Sequence, residues 1–549
     1  MVIFLMFLLP VSIGSQSCEE IEPIIDYLLQ IISQTGWLQE DEDMDNIPED
    51  ITPFDEDTKD FAKKVLLEDK FPPIGDQGKY GTCVAWAVGY NLKTALNAIE
   101  NGWSATDLAN KANQCSPQDL WMIIPSAQRG KDCNGTNFEP ALDAIISKGV
   151  ASLSSVPYTT SLNCTGSTGG NTNNKLANYR KIASDTDKSS LTPENFKGYL
   201  NAGRPIAIGA KLGDRFMSWN SSSVISSDTY NNPGMQHAYH AMALVGYDDS
   251  KGTNGAFRVR NSWGIGWGDE GSIWVDYNFF CKSFCFAAFV AQNPNTMSAA
   301  PTPNYGTDLI AFYAEDEYDP WVDDDGIAYD RAFSYEVYNS GTTTIKASEK
   351  WTITYLIYNA LKANDYRVIY DDYFTDEFGT EGDIEFNDKS TALAGGYLNH
   401  FTIEPGRNVG ADEDGFLYII SYKMPKIEDG KYYLVVMADA FDVIKEVNED
   451  NNFYFITAEN GRPLEFENGE IVNMSTSSIR HASVDKRPAL FANTDKQTSV
   501  VEGNLNAYTP AEIRTMLIHD KNTGRLDAKR KAFSLENQSG KKHVKRPKS

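Results

Sequence analysis

Apolar residues change their spacing several times along this chain, and the changes divide it. After Cys83, the positions Val84, Val88, Leu92, Ala95 and Ile99 recur at three- and four-residue intervals, which predicts a helix with one buried stripe. Further on, Ala256 to Asn261 and Gly271 to Tyr277 alternate as strands do. This mixture over 71–291 predicts an α+β domain. A stretch rich in Pro, Asn and Thr, 292–305, reads as a linker. From 306 to 458 the apolar residues gather in short β-branched and aromatic runs, such as Ala332 to Tyr338, Trp351 to Tyr358, Phe416 to Tyr422 and Tyr432 to Ala438. These predict an all-β sandwich of immunoglobulin-like kind. Two domains suit a chain of 549 residues.

The ends have a different character. Val2 to Gly14 is an almost unbroken apolar run ending in small residues, which reads as an export signal within 1–18, although no Lys or Arg precedes it. It is too short to span a membrane. Cys18 sits where a lipid-modified cysteine would follow such a segment, and plain cleavage near Ser15 is the alternative. The expected location is extracellular or secreted, with an outer-membrane or surface lipoprotein as one form of it. The segment 19–70 is acidic: Glu40 to Asp60 holds eleven acidic residues against one lysine, too little apolar surface to fold alone. Before it, Ile24, Ile25, Leu28, Leu29 and Ile32 have helical spacing. The region 459–549 is expected to be largely disordered, with ten basic residues against two acidic ones from Lys521 onward and a short helix starting at Thr509.

A formal charge of -27 repels polyanions, which argues against nucleic acid as a partner. A monomer is expected. The acidic clusters Asp323 to Asp325 and Asp412 to Asp414 fit no complete calcium loop and read as solvated surface. Seven cysteines are present. With Cys18 and Cys83 set aside, Cys115, Cys133, Cys164, Cys281 and Cys285 allow at most two bridges, whose pairing the sequence leaves open.

Candidate chemistry centres on Cys83. A cysteine nucleophile needs a base, and imidazole titrates near neutral pH. Of six histidines only His237 and His240 lie in the first 399 residues. An apolar strand follows His240 and none follows His237, so His240 is the candidate and His237 a loop residue. Cys83 stands at the predicted helix N-terminus, where free N–H groups and the helix dipole favour a thiolate.

The motifs around these residues resemble the papain family of cysteine peptidases. Pro73-Ile74-Gly75-Asp76-Gln77-Gly78 is similar to the family's entry segment, with Gln77 six residues before Cys83. Tyr239-His240-Ala241-Met242-Ala243-Leu244-Val245-Gly246-Tyr247 resembles its histidine strand, and Arg260-Asn261-Ser262-Trp263-Gly264 its asparagine turn. Ser116-Pro117-Gln118-Asp119-Leu120, Cys133-Asn134-Gly135-Thr136 and Pro157-Tyr158 are similar to further landmarks. The resemblance implies a helical lobe plus a β-barrel lobe. It implies Cys83 as nucleophile, His240 as base, Asn261 as the residue that orients it and Gln77 as oxyanion donor. Gly81, Thr82, Gly135, Thr136 and Trp263 would support substrate or shield the His–Asn bond. Protein or peptide would be the substrate, and no cofactor or metal is implied. Three departures stand out. Tyr80 replaces a cysteine, so Cys133 pairs elsewhere, with Cys164 for instance, or stays free. Val84 replaces a tryptophan. Thr136 replaces a glycine that bonds the substrate backbone. The family's long helical propeptide is missing, and 19–70 is either a propeptide covering the cleft or a spacer.

In the second domain, Tyr335-Glu336-Val337-Tyr338-Asn339-Ser340-Gly341, Tyr432 to Asp439 and Val447 to Asn452 resemble the bacterial cell-adhesion-related (CARDB) sandwich. That resemblance implies binding of a surface protein or glycan, or spacing, rather than catalysis.

Overall fold

The computed structural model describes Gly36, 44–51, 61–229 and 238–294. In the C-terminal half it describes 309–317, 321–322, 328–329, 331–339, 341, 343–345, 351–374, 408–409, 417–422, 427–446, 452–458, 462–473, 507–529 and 542–546. The apolar run Val2 to Gly14, Cys18, Ile21 to Ile32, His237, both acidic clusters and the turn at 447–451 lie outside the described residues. Among the described residues no helix is long and apolar enough to cross a membrane. The chain divides into two compact units: Met1–Asp50 with Phe54–Thr296, and Ile51–Pro53 with Met297–Ser549.

In the first unit a twisted sheet carries one lobe and helices the other. Strand β1 (Lys64–Leu66) is followed by the long helix α1, which is π-wound over Ala85–Lys93 and α-helical over Thr94–Asn101. Next come α2 (Pro117–Ile123), α3 (Phe138–Lys148), β2 (Asn178–Ser184), α4 (Pro193–Asn201) and β3 (Ile206–Leu212). Strands β4 (Val224–Ile225), β5 (Ala238–Asp248), β6 (Ala256–Arg260), β7 (Ser272–Asp276) and β8 (Cys285–Gln292) complete the unit. The sheet order is β2-β8-β3-β5-β6-β7-β4, with β1 also paired to β5.

Two cores result. One joins Val84, Val88 and Leu92 of α1 to Leu120, Phe138, Leu142 and Ile145. The other lies in the sheet lobe, around Phe196, Ile208, Phe216, Leu244, Phe257, Val259 and Phe280. Strand β5 serves both because side chains alternate across a strand: Ala241 faces the helical core while Met242 and Leu244 face the sheet core. Val84, Val88, Leu92 and Ala95 of the predicted stripe are buried, but Ile99 is exposed. The π-wound turns take more residues per turn than the α-turns from which the stripe was extrapolated, so the later positions rotate outward.

Part of the acidic segment is packed against this unit rather than free. Met44 and Ile47 are buried in the helical core, Lys181 Nζ donates to the Met44 carbonyl (2.9 Å), and Asp50 pairs with Arg204 (2.6 Å). Isolated apolar residues among the acids supply the burial that average composition hides.

Among the described residues the second unit holds two larger antiparallel sheets beside the two-stranded pair of Trp321–Val322 with Ala328–Tyr329. In one, Arg331–Asn339 pairs with Leu309–Glu317, Asn408–Val409 and Leu417–Tyr422. In the other, Trp351–Asn359 lies between Lys362–Phe374 and Gly430–Ala438, and the latter also pairs with Phe453–Ile456 and Leu464–Glu467. Near the end of the chain lie the helix expected from Thr509, over Pro510–Asn522, and a strand that was not expected, Lys542–Arg546. Helix Pro510–Asn522 buries Ile513, Met516 and Leu517 against Leu356, Tyr358, Tyr366 and Tyr433, and Lys542–Arg546 pairs with Leu417–Tyr422. The helix starts with a capping box, Thr509 accepting from the Glu512 N–H and Glu512 Oε2 from the Thr509 N–H (2.8 Å).

Candidate active site

Helical winding begins at Cys83, and the Trp86 N–H closes the first turn onto the Thr82 carbonyl (3.1 Å). The thiol is fully buried. Burial pushes it up to about 11, against the opposing pull of the Ala241, Gly36, Val84 and Cys83 backbone N–H groups. Desolvation therefore outweighs the helix terminus, and the sulfur is a neutral thiol in this arrangement. Ala241, the residue after His240, lies in the same buried core as Cys83, which brings the histidine strand and the nucleophile into one cluster.

His240, on β5, is also fully buried, and its Nε2 lies 2.7 Å from Asn261 Oδ1. The other ring nitrogen, Nδ1, has no hydrogen-bond partner. The neutral imidazole accordingly carries its proton on Nε2, donating to the Asn261 oxygen, and presents a lone pair at Nδ1. Burial holds its pKa down to about 4, with the Asn261 bond acting the other way. Asn261 directly follows β6; its N–H donates to the Gly271 carbonyl (3.0 Å) and its Oδ1 also accepts from the Ser262 N–H (2.8 Å). Trp263 packs on the imidazole in a tilted arrangement, 4.8 Å between ring centroids, and edge-on against Trp267.

Gln77 reaches this turn because the entry segment pairs with it. The Gln77 N–H donates to the Ser262 carbonyl (2.8 Å) and the Gly264 N–H to the Gly75 carbonyl (2.9 Å). The buried Gln77 side chain accepts at Oε1 from Ser262 Oγ (2.7 Å) and donates from Nε2 to the Tyr80 carbonyl (2.7 Å). On the other side of Cys83, the Gly135 N–H donates to the Gly81 carbonyl (3.0 Å). Thr136 is buried, and its hydroxyl donates to the Gln128 carbonyl (2.8 Å). Cys133 forms a disulfide with Cys164, which fixes this loop; Cys115, Cys281 and Cys285 are free thiols.

Three features are invisible to motif reading. Gly36 donates its N–H to Cys83 Sγ (3.3 Å) and accepts at its carbonyl from the Thr136 N–H (2.8 Å). Its backbone thus lies over the nucleophile, so close that a Cβ would overlap the Gly81 carbonyl. Nothing in the surrounding sequence, Ser33-Gln34-Thr35-Gly36-Trp37-Leu38-Gln39, singles it out. Ser262 stands inside the asparagine motif, but its bond to Gln77 depends on tertiary pairing. Trp86, two residues beyond Val84, fills space beside the entry segment: it packs on Tyr90 (4.7 Å) and Tyr158 (4.9 Å), and a Cβ on Gly75 would strike its ring. The tryptophan missing at 84 is offset by one at 86, one helical turn from Tyr90.

The description "Papain family cysteine protease" matches residues 58–285. That segment is a papain-family cysteine protease domain. Vignain of Vigna mungo is 26% identical over 238 residues, 43% of this chain and 58% of the relative. Cysteine proteinase 2 of Entamoeba histolytica is 30% identical over 213 residues, 38% of this chain and 60% of the relative. Cathepsin K of Gallus gallus is 27% identical over 224 residues, 40% and 60% of the two chains. The chain spans roughly three fifths of the length of these relatives. Among solved structures, xylellain, a cysteine protease from Xylella fastidiosa, matches 48% of this chain and 97% of its own at 20% identity and a TM-score of 0.38.

Proposed function

We propose that this protein is a cysteine-type peptidase acting outside the cytoplasm, with Cys83, His240, Asn261 and Gln77 as its working residues. The observation that carries the reading is the Asn261-bonded, Nδ1-open His240 on a strand that shares its buried core with Cys83. In the reaction the thiol proton passes to His240 Nδ1 as sulfur adds to the peptide carbonyl. The Cys83 N–H and the Gln77 amide receive the oxyanion, a contribution worth about 3 kcal/mol per donor in other enzymes. His240 then returns the proton to the leaving amine, giving a thioester. Water, deprotonated by His240, attacks the thioester and releases the acid and the thiol. The Cys133–Cys164 bridge supports an oxidising compartment.

As folded here the site is closed. Gly36 offers the sulfur an N–H where a substrate would offer a carbonyl carbon, so its backbone takes the place of a substrate without being positioned for attack. Gly36 acts as an internal blocker of the nucleophile. The second unit, with its CARDB-like strands, serves binding of a surface protein or glycan.

Labelling with an epoxide probe, followed by peptide mapping, tests both statements. The adduct is expected at Cys83, abolished in Cys83→Ala and His240→Ala. Gly36→Leu, which cannot be seated against Gly81, should label at least tenfold faster than the parent chain. Failure of Gly36→Leu to label at Cys83 would overturn the peptidase reading, whereas equal rates in parent and variant would overturn only the blocking role.

A further inference from the structure

Tyr158 belongs to a motif singled out above, Pro157-Tyr158, to which the chemistry so far assigns nothing. Its hydroxyl donates to the Gln77 carbonyl (2.9 Å) and lies 2.7 Å from Thr82 Oγ1. A carbonyl can only accept, so the single phenolic proton goes to Gln77 and the Thr82 hydroxyl is the donor in the second bond. One oxygen therefore ties together the main chain of Gln77 and the side chain of the residue immediately before Cys83. Gln77 and Thr82 are both fully buried, and the Tyr158 ring is held edge-on by Trp86. Burial pushes the phenol up to about 12, so it stays protonated wherever the peptidase would work.

We infer that Tyr158 is a positioning residue of the oxyanion hole, setting the distance between its two donors, the Gln77 amide and the Cys83 N–H. These donors come from separate segments: Gln77 from the entry strand paired to the asparagine turn, and Cys83 from the start of α1. The Tyr158 hydroxyl bridges them from a third segment, far along the chain. Hydrogen bonds aimed at developing charge act only when their geometry is set in advance, so a spacer of this kind affects reactions that place an oxyanion there and no others.

The inference rests on the peptidase reading, and two reagents separate the two. Iodoacetamide alkylates the thiol at a tetrahedral carbon and forms no oxyanion. A peptide aldehyde adds to the same sulfur as a hemithioacetal whose oxygen enters the hole. Affinity for the aldehyde is read from protection of Cys83 against iodoacetamide, in the full chain carrying Gly36→Leu. Tyr158→Phe should leave alkylation within about twofold and weaken the aldehyde about tenfold, the loss expected for one hydrogen bond to a positioned group. Thr82→Val should weaken it by a similar factor, and the double variant by no more than the larger single one, because both changes break the same bridge. Equal losses against both reagents, or an undiminished aldehyde affinity, would overturn the inference. A Gly36→Leu chain whose Cys83 is inert to iodoacetamide would instead overturn the peptidase reading, and this inference with it.

Discussion

At the scale of single residues, burial sets the protonation of the site. His240 is held near 4 against an ordinary 6.5, and Cys83 near 11 against 9.0. Both are neutral in the closed fold, whereas an active pair needs the thiolate and the imidazolium. Between pH 6.5 and 4 the unfolded chain binds a proton at His240 that the folded chain does not. The stability contributed by neutral His240 is therefore complete above 6.5 and is lost as pH falls toward 4, at about 1.4 kcal/mol per pH unit. For Cys83 the sign reverses: the contribution is complete below 9 and is lost as pH rises toward 11. Urea unfolding of the parent chain and His240→Gln between pH 4 and 6.5 should show a shallower pH dependence in the variant, by about one proton. Identical slopes would mean that the imidazole is solvated.

At the scale of elements, short segments matter through what they bury. Helix Pro510–Asn522 has little amphipathic contrast in its sequence, since Arg514 and Asp520 are buried along with Ile513, Met516 and Leu517. Its capping box marks the start, but only packing on Leu356, Tyr358 and Tyr433 explains why it persists in a polar stretch. Leu517 is fully buried, so Leu517→Ala should lower the stability of the second unit by about 2–5 kcal/mol. Alkylation of Cys83 in the same variant is expected to keep its rate. A loss under 0.5 kcal/mol in denaturant unfolding would show that the helix does not belong to that core.

At the scale of the whole molecule, the two units have distinct hydrophobic cores. The residues proposed for catalysis all fall in the first, within Met1–Asp50 and Phe54–Thr296. A chain ending at Thr296 should therefore still place Cys83 beside the histidine strand. With Gly36→Leu added, its labelling rate should lie within about threefold of the full chain carrying the same substitution. A well-folded shorter chain that fails to label would show that the second unit completes the site.

Much is legible in the sequence alone. Motif order announced the papain-family domain, because a nucleophile at a helix start, a histidine strand and an asparagine turn need particular residues at particular local spacings. Alternating runs likewise announced β6 and β7, and β-branched and aromatic runs the strands of the second unit, although β6 and β7 are buried along their whole length. Tertiary structure decided what depends on segments distant in the chain. The pairing of 75–77 with 262–264 gives Gln77 its partner in Ser262, and a left-open choice of disulfide closes as Cys133–Cys164. Gly36 reaches the sulfur from outside every motif, just before the acidic run, and Tyr158 bridges two strangers through one hydroxyl. Local sequence determines which residue types and periodicities are available. Which of them meet, and whether the sulfur they surround is wet or dry, is decided only when burial and hydrogen-bond satisfaction are met together across the fold.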